Sequence, residues 1–332
     1  MGPPQSASRR RSKTTGIDMS NPIVSIIIVN WNVRELLRAC IASLYAQGGL
    51  PSDAMQVLVV DNASKDGSVA MVREAFPQVD LVANTDNVGF GRANNQVLSA
   101  CTAPYVLLLN PDTVVRPGAI SGLVDKMESL PNAAVIGSRL LNADGSLQRW
   151  TGGAYPRLLN LLNHYFFLDR LLPRSLRSPP LYLDHDVQKD TQVDWVSGAC
   201  MLLRRSALQG KLFNSNYFMY GEDMELCHRL KLAGGDIIYS PAVSIIHYQG
   251  ESMKQQQGDV LLSSLNGPRQ FYRQMRGGKR LRIYDSITVV GFALRWILFS
   301  VAGVFRSNGG VKSKSSSSRD MMFRAWKILR EN

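Results

Sequence analysis

The first regular stretch of the chain is an apolar run, IVSIIIVNWN at 23–32, that stops in polar residues. β-Branched side chains dominate it, so it predicts a strand buried on both faces. VRELLRACIASLYAQ (33–47) then carries apolar residues at helical spacing, and Gly48 and Gly49 end it. The alternation continues. MQVLVVDNAS (55–64), VDLVANTDN (79–87) and YVLLLNPD (105–112) predict strands, with helices at SVAMVREAF (68–76) and GRANNQVLSAC (91–101) between them. This βαβαβαβ order predicts an α/β fold, a mostly parallel sheet flanked by helices.

Farther on, AAVIGSRLLNADGSLQRW (133–150) predicts a strand and a hairpin turning at ADGS. Residues 151–192 are rich in Pro, Leu and Arg and predict loops or short helices. VDWVSGACMLLRRSAL (193–208) predicts a strand entering a helix. FMYGEDMELCHRLKLAG (218–234) predicts a turn and a helix, and DIIYSPAVSIIHYQGES (236–252) a strand ending at His247. SKSSSS (313–318) reads as a flexible linker, and MMFRAWKILR (321–330) as a short basic amphipathic helix.

Charge divides the 332 residues into three parts. Residues 1–20 carry net +3 and predict a disordered basic tail. Residues 21–268 hold 20 basic and 22 acidic residues and form a near-neutral globular body. Residues 269–332 hold 14 basic and three acidic residues, net +11. Basic ends favour anionic partners, nucleic acid or a membrane surface. The stretch SITVVGFALRWILFSVAGVF (286–305) tips the balance to membrane, because it matches the roughly 20 apolar residues of a spanning helix. Arg295 at its middle costs roughly 2.5–3.5 kcal/mol on insertion scales. The stretch therefore reads as interfacial or re-entrant, with a buried core helix as the plainer alternative. No apolar h-region opens the N-terminus, so a secretory signal is not expected. The four cysteines (Cys40, Cys101, Cys200, Cys227) form no CxxC pair and predict reduced core thiols of a cytoplasmic protein.

Candidate chemistry sits where such sheets bind ligands, at the carboxyl ends of strands. Asn30, Asp61, Asn62, Asn110 and Asp112 all fall there, and His247 ends a late strand. Glu222 and Asp223 open a helix. Each alone has a plainer reading. Asp61 can cap a helix, Asp112 can serve a turn after Pro111, Glu222 and Asp223 can complement a helix dipole, and His247 can be a core histidine. Together, at element ends of one body, they point to a site.

The ordered pieces VSIIIVNWN, VLVVDNASKDGS, NTDNVGFGRANNQ, YVLLLNPDTVV, DWVSGACMLLRR, FMYGEDMELCHRL and HYQGES resemble family 2 inverting nucleotide-sugar glycosyltransferases of the GT-A fold, over about residues 22–255. VNWN, LLNPD and WVSGACMLLRR resemble the rhamnosyltransferase branch of cell-wall and O-antigen assembly. The resemblance implies a nucleotide site at Asn30, Trp31, Asp61, Asn62, Gly89 and Arg92, with Asp61 on the N3–H of a uracil or thymine and Arg92 near the diphosphate. Gly89 and Gly91 would permit close backbone approach. Asp112 matches the last acid of the metal motif and would hold Mg²⁺ or Mn²⁺ with His247. Asn110 stands where that motif usually has its first acid. Asp223 would be the general base, with Glu222 orienting it or taking its place. Trp195, Ser197 and Gly198 would line the acceptor side.

The activity implied is transfer of a sugar, L-rhamnose from dTDP-rhamnose first, to a polyprenyl-linked or glycan acceptor at the inner face of the cell membrane. UDP-hexose donors and an inactive nucleotide-sugar-binding relative are the alternatives. A nucleic-acid partner is disfavoured by the near-neutral body. A dinucleotide enzyme is disfavoured because VNWNVREL lacks the glycines after its first strand.

Overall fold

The computed structural model describes residues 21–149, 151–173, 178–183, 187–217, 220–248, 260–278, 280–305 and 309–330. The predicted basic tail and the QGES end of HYQGES lie outside these residues.

The strands and helices follow the apolar pattern closely through the first half. β1 (Val24–Asn30), α1 (Arg34–Gln47), β2 (Met55–Asp61), α2 (Ser68–Ala75), β3 (Asp80–Ala83), α3 (Phe90–Val97) and β4 (Tyr105–Leu109) appear in the expected order. β5 (Thr113–Val115), α4 (Ala119–Ser129) and β6 (Ala133–Leu141) come next. The 151–192 region supplies β7 (Gly152–Gly153), α5 (Leu158–Tyr165), α6 (Leu168–Leu171) and β8 (Thr191–Gln192). β9 (Trp195–Val196), β10 (Cys200–Arg204), α7 (Glu222–Leu232) and β11 (Asp236–His247) complete the body. Three helices follow: α8 (Val260–Arg276), α9 (Leu281–Phe305) and α10 (Gly309–Arg330).

Among the described residues, nine strands form one sheet in the order β3–β2–β1–β4–β10–β6–β11–β5, with β8 on β11. β3, β2, β1 and β4 are parallel neighbours. Beyond them β6 and β11 also pair in parallel, but the run of parallel strands is interrupted. β10 enters antiparallel between β4 and β6, and β5 runs antiparallel to β11, so the sheet is mixed. A strand's own residues set its burial, not its direction beside neighbours. Segment 193–208 is corrected too: β9 pairs with β7 in a small second sheet, and β10 ends in a 3₁₀ turn, not a helix. In β11 the pairing with β6 shifts between Ser240 and Ser244, around Pro241, which cannot donate to the ladder.

The two faces of the sheet bury different sets. Val24, Ile26 and Ile28 pack with α1 and α4 residues such as Leu37, Ile41 and Ile120. Ile27, Val29, Leu58 and Val60 pack on the other side with Ala93, Trp195, Leu226 and Phe271. Period-2 alternation within β1 separates these two cores. All four cysteines are free and buried, and burial pushes the Cys40 and Cys200 thiols up to about 12.

Two expectations about the C-terminal part change. The boundary at 268/269 falls inside α8, and Phe271 of that helix belongs to the main core, against Tyr155 and His228. The SKSSSS stretch is not a linker but lies within α10. Its small side chains let α10 approach α9, with Ser318 buried and Ser315 Oγ 2.7 Å from Ser300 Oγ. Arg269 and the buried Asp285 form a two-pronged ion pair, at 2.7 and 2.9 Å, between α8 and α9. Arg295, unfavourable in lipid, turns into protein: its guanidinium lies over the Tyr165 and Phe167 rings and donates to the His164 carbonyl.

Candidate active site

β1 and β2 end side by side, with Asn30 opposite Asp61. Asn30 Nδ2 donates to Asp61 Oδ2 at 2.7 Å and to Ser64 Oγ at 3.1 Å. The Ser64 amide donates to Asp61 Oδ1 at 2.8 Å. Asp61 thus ties two strand ends to the turn that follows, and it is 1% exposed. The family resemblance implies a base contact for Asp61. The structure gives both of its oxygens protein donors, so a base can reach it only by sharing them. Asn62 is buried as well, accepting from Asn84 Nδ2 at 3.0 Å. Trp31 is half-buried at this edge. Gly89, at φ +84, turns the chain into α3, where Arg92 is exposed in the first turn. Gly91 is needed for packing, because a Cβ there would lie 3.1 Å from Phe213 Cβ.

β4 ends before Asn110-Pro111-Asp112, and β11 brings His247 to the same place. His247 Nε2 lies 3.2 Å from Asp112 Oδ1 and 3.4 Å from Asn110 Nδ2. The Tyr248 amide donates to the Asp112 carbonyl at 2.8 Å and locks the two segments together. The donor set is one carboxylate oxygen and one imidazole nitrogen, which fits Mn²⁺ and, with phosphate and water completing the shell, Mg²⁺. Among the described residues no group of three or more His, Cys, Asp or Glu forms a fuller cage. Asn110 supplies an amide at Nε2 in place of a second carboxylate.

The 197–199 turn joins this pair to the acids of α7. The Asn110 amide donates to the Ala199 carbonyl at 3.0 Å. The Gly198 amide faces the Asp223 carboxyl, helping hold its charge. Tyr220 (φ +66) and Gly221 (φ +88) are both left-handed and turn the chain so that Glu222 and Asp223 begin the helix. Glu222 is 8% exposed, and its Oε2 has no hydrogen-bond partner among the described residues. Burial raises its carboxyl above the usual carboxylate range, and the Asp223 charge raises it further. Asp223 is half-buried, and Met224 N donates to its Oδ1 at 2.8 Å. Burial raises its carboxyl as well, against the lowering effect of the Met224 and Gly198 amides. Asp223 is thus the more exposed acid of the pair.

The acceptor-side expectation for Trp195 is corrected. Its indole is 4% exposed, donates to the Ala154 carbonyl at 3.2 Å and meets Tyr182 edge to face. Both partners come from the 151–192 region, whose pattern gave no placement. Ser197 is half-buried and Gly198 buried. Sequence reasoning missed Gln148, which is buried and lies 2.7 Å by Oε1 from His247 Nδ1. The hairpin at ADGS was legible, but nothing in a single Gln points to a strand 99 residues away.

The mixed sheet flanked by helices is the GT-A fold, shared with solved sugar-transferring enzymes. The chain belongs to glycosyl transferase family 2, whose profile matches residues 25–210. It is 28% identical over 242 residues to the N-acetylglucosaminyl-diphospho-decaprenol L-rhamnosyltransferase of Mycobacterium tuberculosis, covering 69% of this chain and 77% of that protein. It is 27% identical to the rhamnosyltransferase WbbL of Escherichia coli K12, covering 68% and 83%. Among solved structures, the mannosyltransferase PcManGT of Pyrobaculum calidifontis, in complex with GDP-Man and Mn²⁺, shares the fold with a TM-score of 0.53 at 15% identity, over 96% of this chain and 90% of that one. The chain is a glycosyltransferase that resembles the rhamnosyltransferase branch of its family.

Proposed function

We propose that this enzyme transfers L-rhamnose from dTDP-rhamnose to a polyprenyl-diphosphate-linked N-acetylglucosamine, with inversion, assisted by Mg²⁺ or Mn²⁺. One observation carries the reading: the Asp112–His247 pair and the half-buried Asp223 flank the same 197–199 turn. A diphosphate site and a base for the acceptor hydroxyl are thereby held on a common frame. The nucleotide would lie over the β1 and β2 ends, with Trp31 beside it and the exposed Arg92 toward its phosphates. Asp112 and His247 would hold the divalent cation. When bound, such a cation offsets the charge that builds on the departing nucleoside diphosphate.

Asp223 would take the proton of the acceptor hydroxyl as its oxygen attacks the anomeric carbon. The bond from that carbon to the diphosphate breaks as the new one forms, so a single displacement inverts the centre. Glu222, more buried, would shape the electrostatics of Asp223. The donor and acceptor named here rest on the two rhamnosyltransferase relatives.

We also propose that α9 and α10 engage the inner face of a membrane. α9 contains a segment, Leu281–Gly303, long and apolar enough to cross one. Ile283, Val290, Ile297 and Val301 are exposed along one stripe of it, and Phe323 and Trp326 are exposed on α10. The net +11 of residues 269–332 complements anionic lipid. Arg295, held by α5, fits a helix lying against the bilayer better than one surrounded by it.

Thermal shift with dTDP, UDP, GDP and NAD, each with and without Mn²⁺, tests the donor assignment. A ligand that binds only the native state raises its stability. The expected result is a rise in Tm with dTDP that grows with Mn²⁺, and loss of the Mn²⁺-dependent part in Asp112→Ala. A larger response to UDP would move the donor to a UDP-hexose. No response to any nucleotide would leave the inactive reading.

A further inference from the structure

The hairpin after β6 carries a file of hydrogen bonds with one direction. Asp144 Oδ1 accepts from Ser146 Oγ at 2.6 Å and from the Ser146 amide at 2.9 Å. These bonds from Ser146 hold the Asp144 carboxyl below its usual range. An ionised carboxylate only accepts, so the Ser146 hydroxyl proton points to Asp144. The Ser146 oxygen is left to accept from Asn142 Nδ2 at 2.9 Å. Asn142 Oδ1 then faces Gln148 Nε2 at 3.2 Å, and the same Nε2 donates to the His247 carbonyl at 3.3 Å. Both bonds of Gln148 Nε2 are thus to acceptors, which fixes which way its amide points. Its Oε1 accepts from His247 Nδ1 at 2.7 Å.

The proton of the imidazole therefore sits on Nδ1. Nε2 is turned toward Asp112 Oδ1 at 3.2 Å, with Asn110 Nδ2 at 3.4 Å. A proton or a metal cation can sit between that nitrogen and the carboxylate, and the ring is held ready for either. Gln148 is 4% exposed and too deep to touch a substrate. Its buried amide is also fully engaged, which a residue kept only to fill space would not require.

We infer that Gln148 is a positioning residue for the cation: it fixes the tautomer and ring orientation of His247 so that Nε2 is a ligand beside Asp112. The inference rests on the metal-assisted reading above. Partners of this kind tune metal affinity by roughly 10–100-fold.

Mn²⁺ binding to the full chain, followed by electron paramagnetic resonance of the free ion in the presence of dTDP, tests it. Gln148→Met keeps the volume and removes the acceptor. It is expected to weaken Mn²⁺ binding by roughly 10–100-fold while dTDP alone binds as before. Its melting temperature without ligand, read beside the binding data, separates loss of the Mn²⁺ ligand from loss of the fold. In turnover, Gln148→Met should raise the Mn²⁺ concentration needed and leave kcat at saturating Mn²⁺ little changed. Wild-type Mn²⁺ affinity in Gln148→Met, or a loss of dTDP binding as large as the loss of Mn²⁺ binding, would overturn the inference. Wild-type protein that binds dTDP but no Mn²⁺ would instead overturn the metal-assisted reading on which it stands.

Discussion

Asp223→Asn is expected to cut kcat by roughly 10²–10⁴-fold, the contribution of a positioned general base, while dTDP binding stays intact. Asn keeps the shape of the side chain and an oxygen to accept from the Met224 amide, so the start of α7 should not move. The pH behaviour supplies a second check. Burial raises the folded-state values of both Glu222 and Asp223 above the ordinary carboxylate range. Wild-type kcat should therefore fall as pH drops through a raised value, not through that of a free carboxylate. The stability consequence has the opposite sense to the usual acid case. A carboxyl whose pKa is raised on folding contributes stability that is present below its unfolded pKa and lost as pH rises through its folded one. Asp223→Asn removes that loss, so its Tm at mildly alkaline pH should equal or exceed the wild type's. A pH–rate profile and melting curves on the same preparations check both statements. An active Asp223→Asn would pass the role to Glu222.

Gly267→Ala, far from Asp223 in sequence, is expected to cost roughly 10²-fold in kcat. Gly267 sits in α8 against the turn that launches α7. A Cβ on it would lie 2.2 Å from the Tyr220 carbonyl oxygen and 2.5 Å from its carbon. The contact is reciprocal, since a Cβ on Gly221 would lie 2.7 Å from the Gly267 oxygen. Backbone meets backbone here, and no flexible side chain can yield. One methyl must push α8 and the 220–223 segment apart, and misplacing a reacting group by about 1 Å costs roughly 10²-fold. Overpacking of this kind costs about 1–3 kcal/mol of stability. Neighbouring bonds limit how far α8 can retreat: Tyr217 Oη donates to Gln274 Oε1 at 2.9 Å, and Gln270 Nε2 to the Asn216 carbonyl at 3.1 Å. The nucleotide edge lies on other elements, so the KM for donor should change little. A loss expressed wholly in donor KM would contradict this coupling of the C-terminal helices to the base.

The strands that carry the candidate site were legible because apolar runs stopped abruptly in polar residues at 30, 61 and 110. The switch to polar residues at those ends, with His247 and the Glu222–Asp223 pair, pointed to one end of the sheet, and the roles assigned there came from the family resemblance. The placement of β10 was not legible, because its residues say that it is buried and nothing about which way it runs beside β4. SKSSSS misled for a related reason: serine runs read as flexible until a partner helix uses their small size. Trp195 misled because an indole in a loop looks available, and the cover over it comes from Ala154 and Tyr182 in a stretch without pattern. Gln148 acquires meaning only when β11 ends beside the hairpin.

The most direct test of the central claim is the transfer itself. The full-length enzyme, with Mn²⁺, would be given dTDP-rhamnose and polyprenyl-diphosphate-linked N-acetylglucosamine, and the product's new glycosidic linkage read by NMR. The account predicts a rhamnosylated lipid of inverted anomeric configuration, formed by wild type and not by Asp223→Asn. A product that retains the donor's configuration, or no transfer by an enzyme that binds dTDP and Mn²⁺, would contradict it.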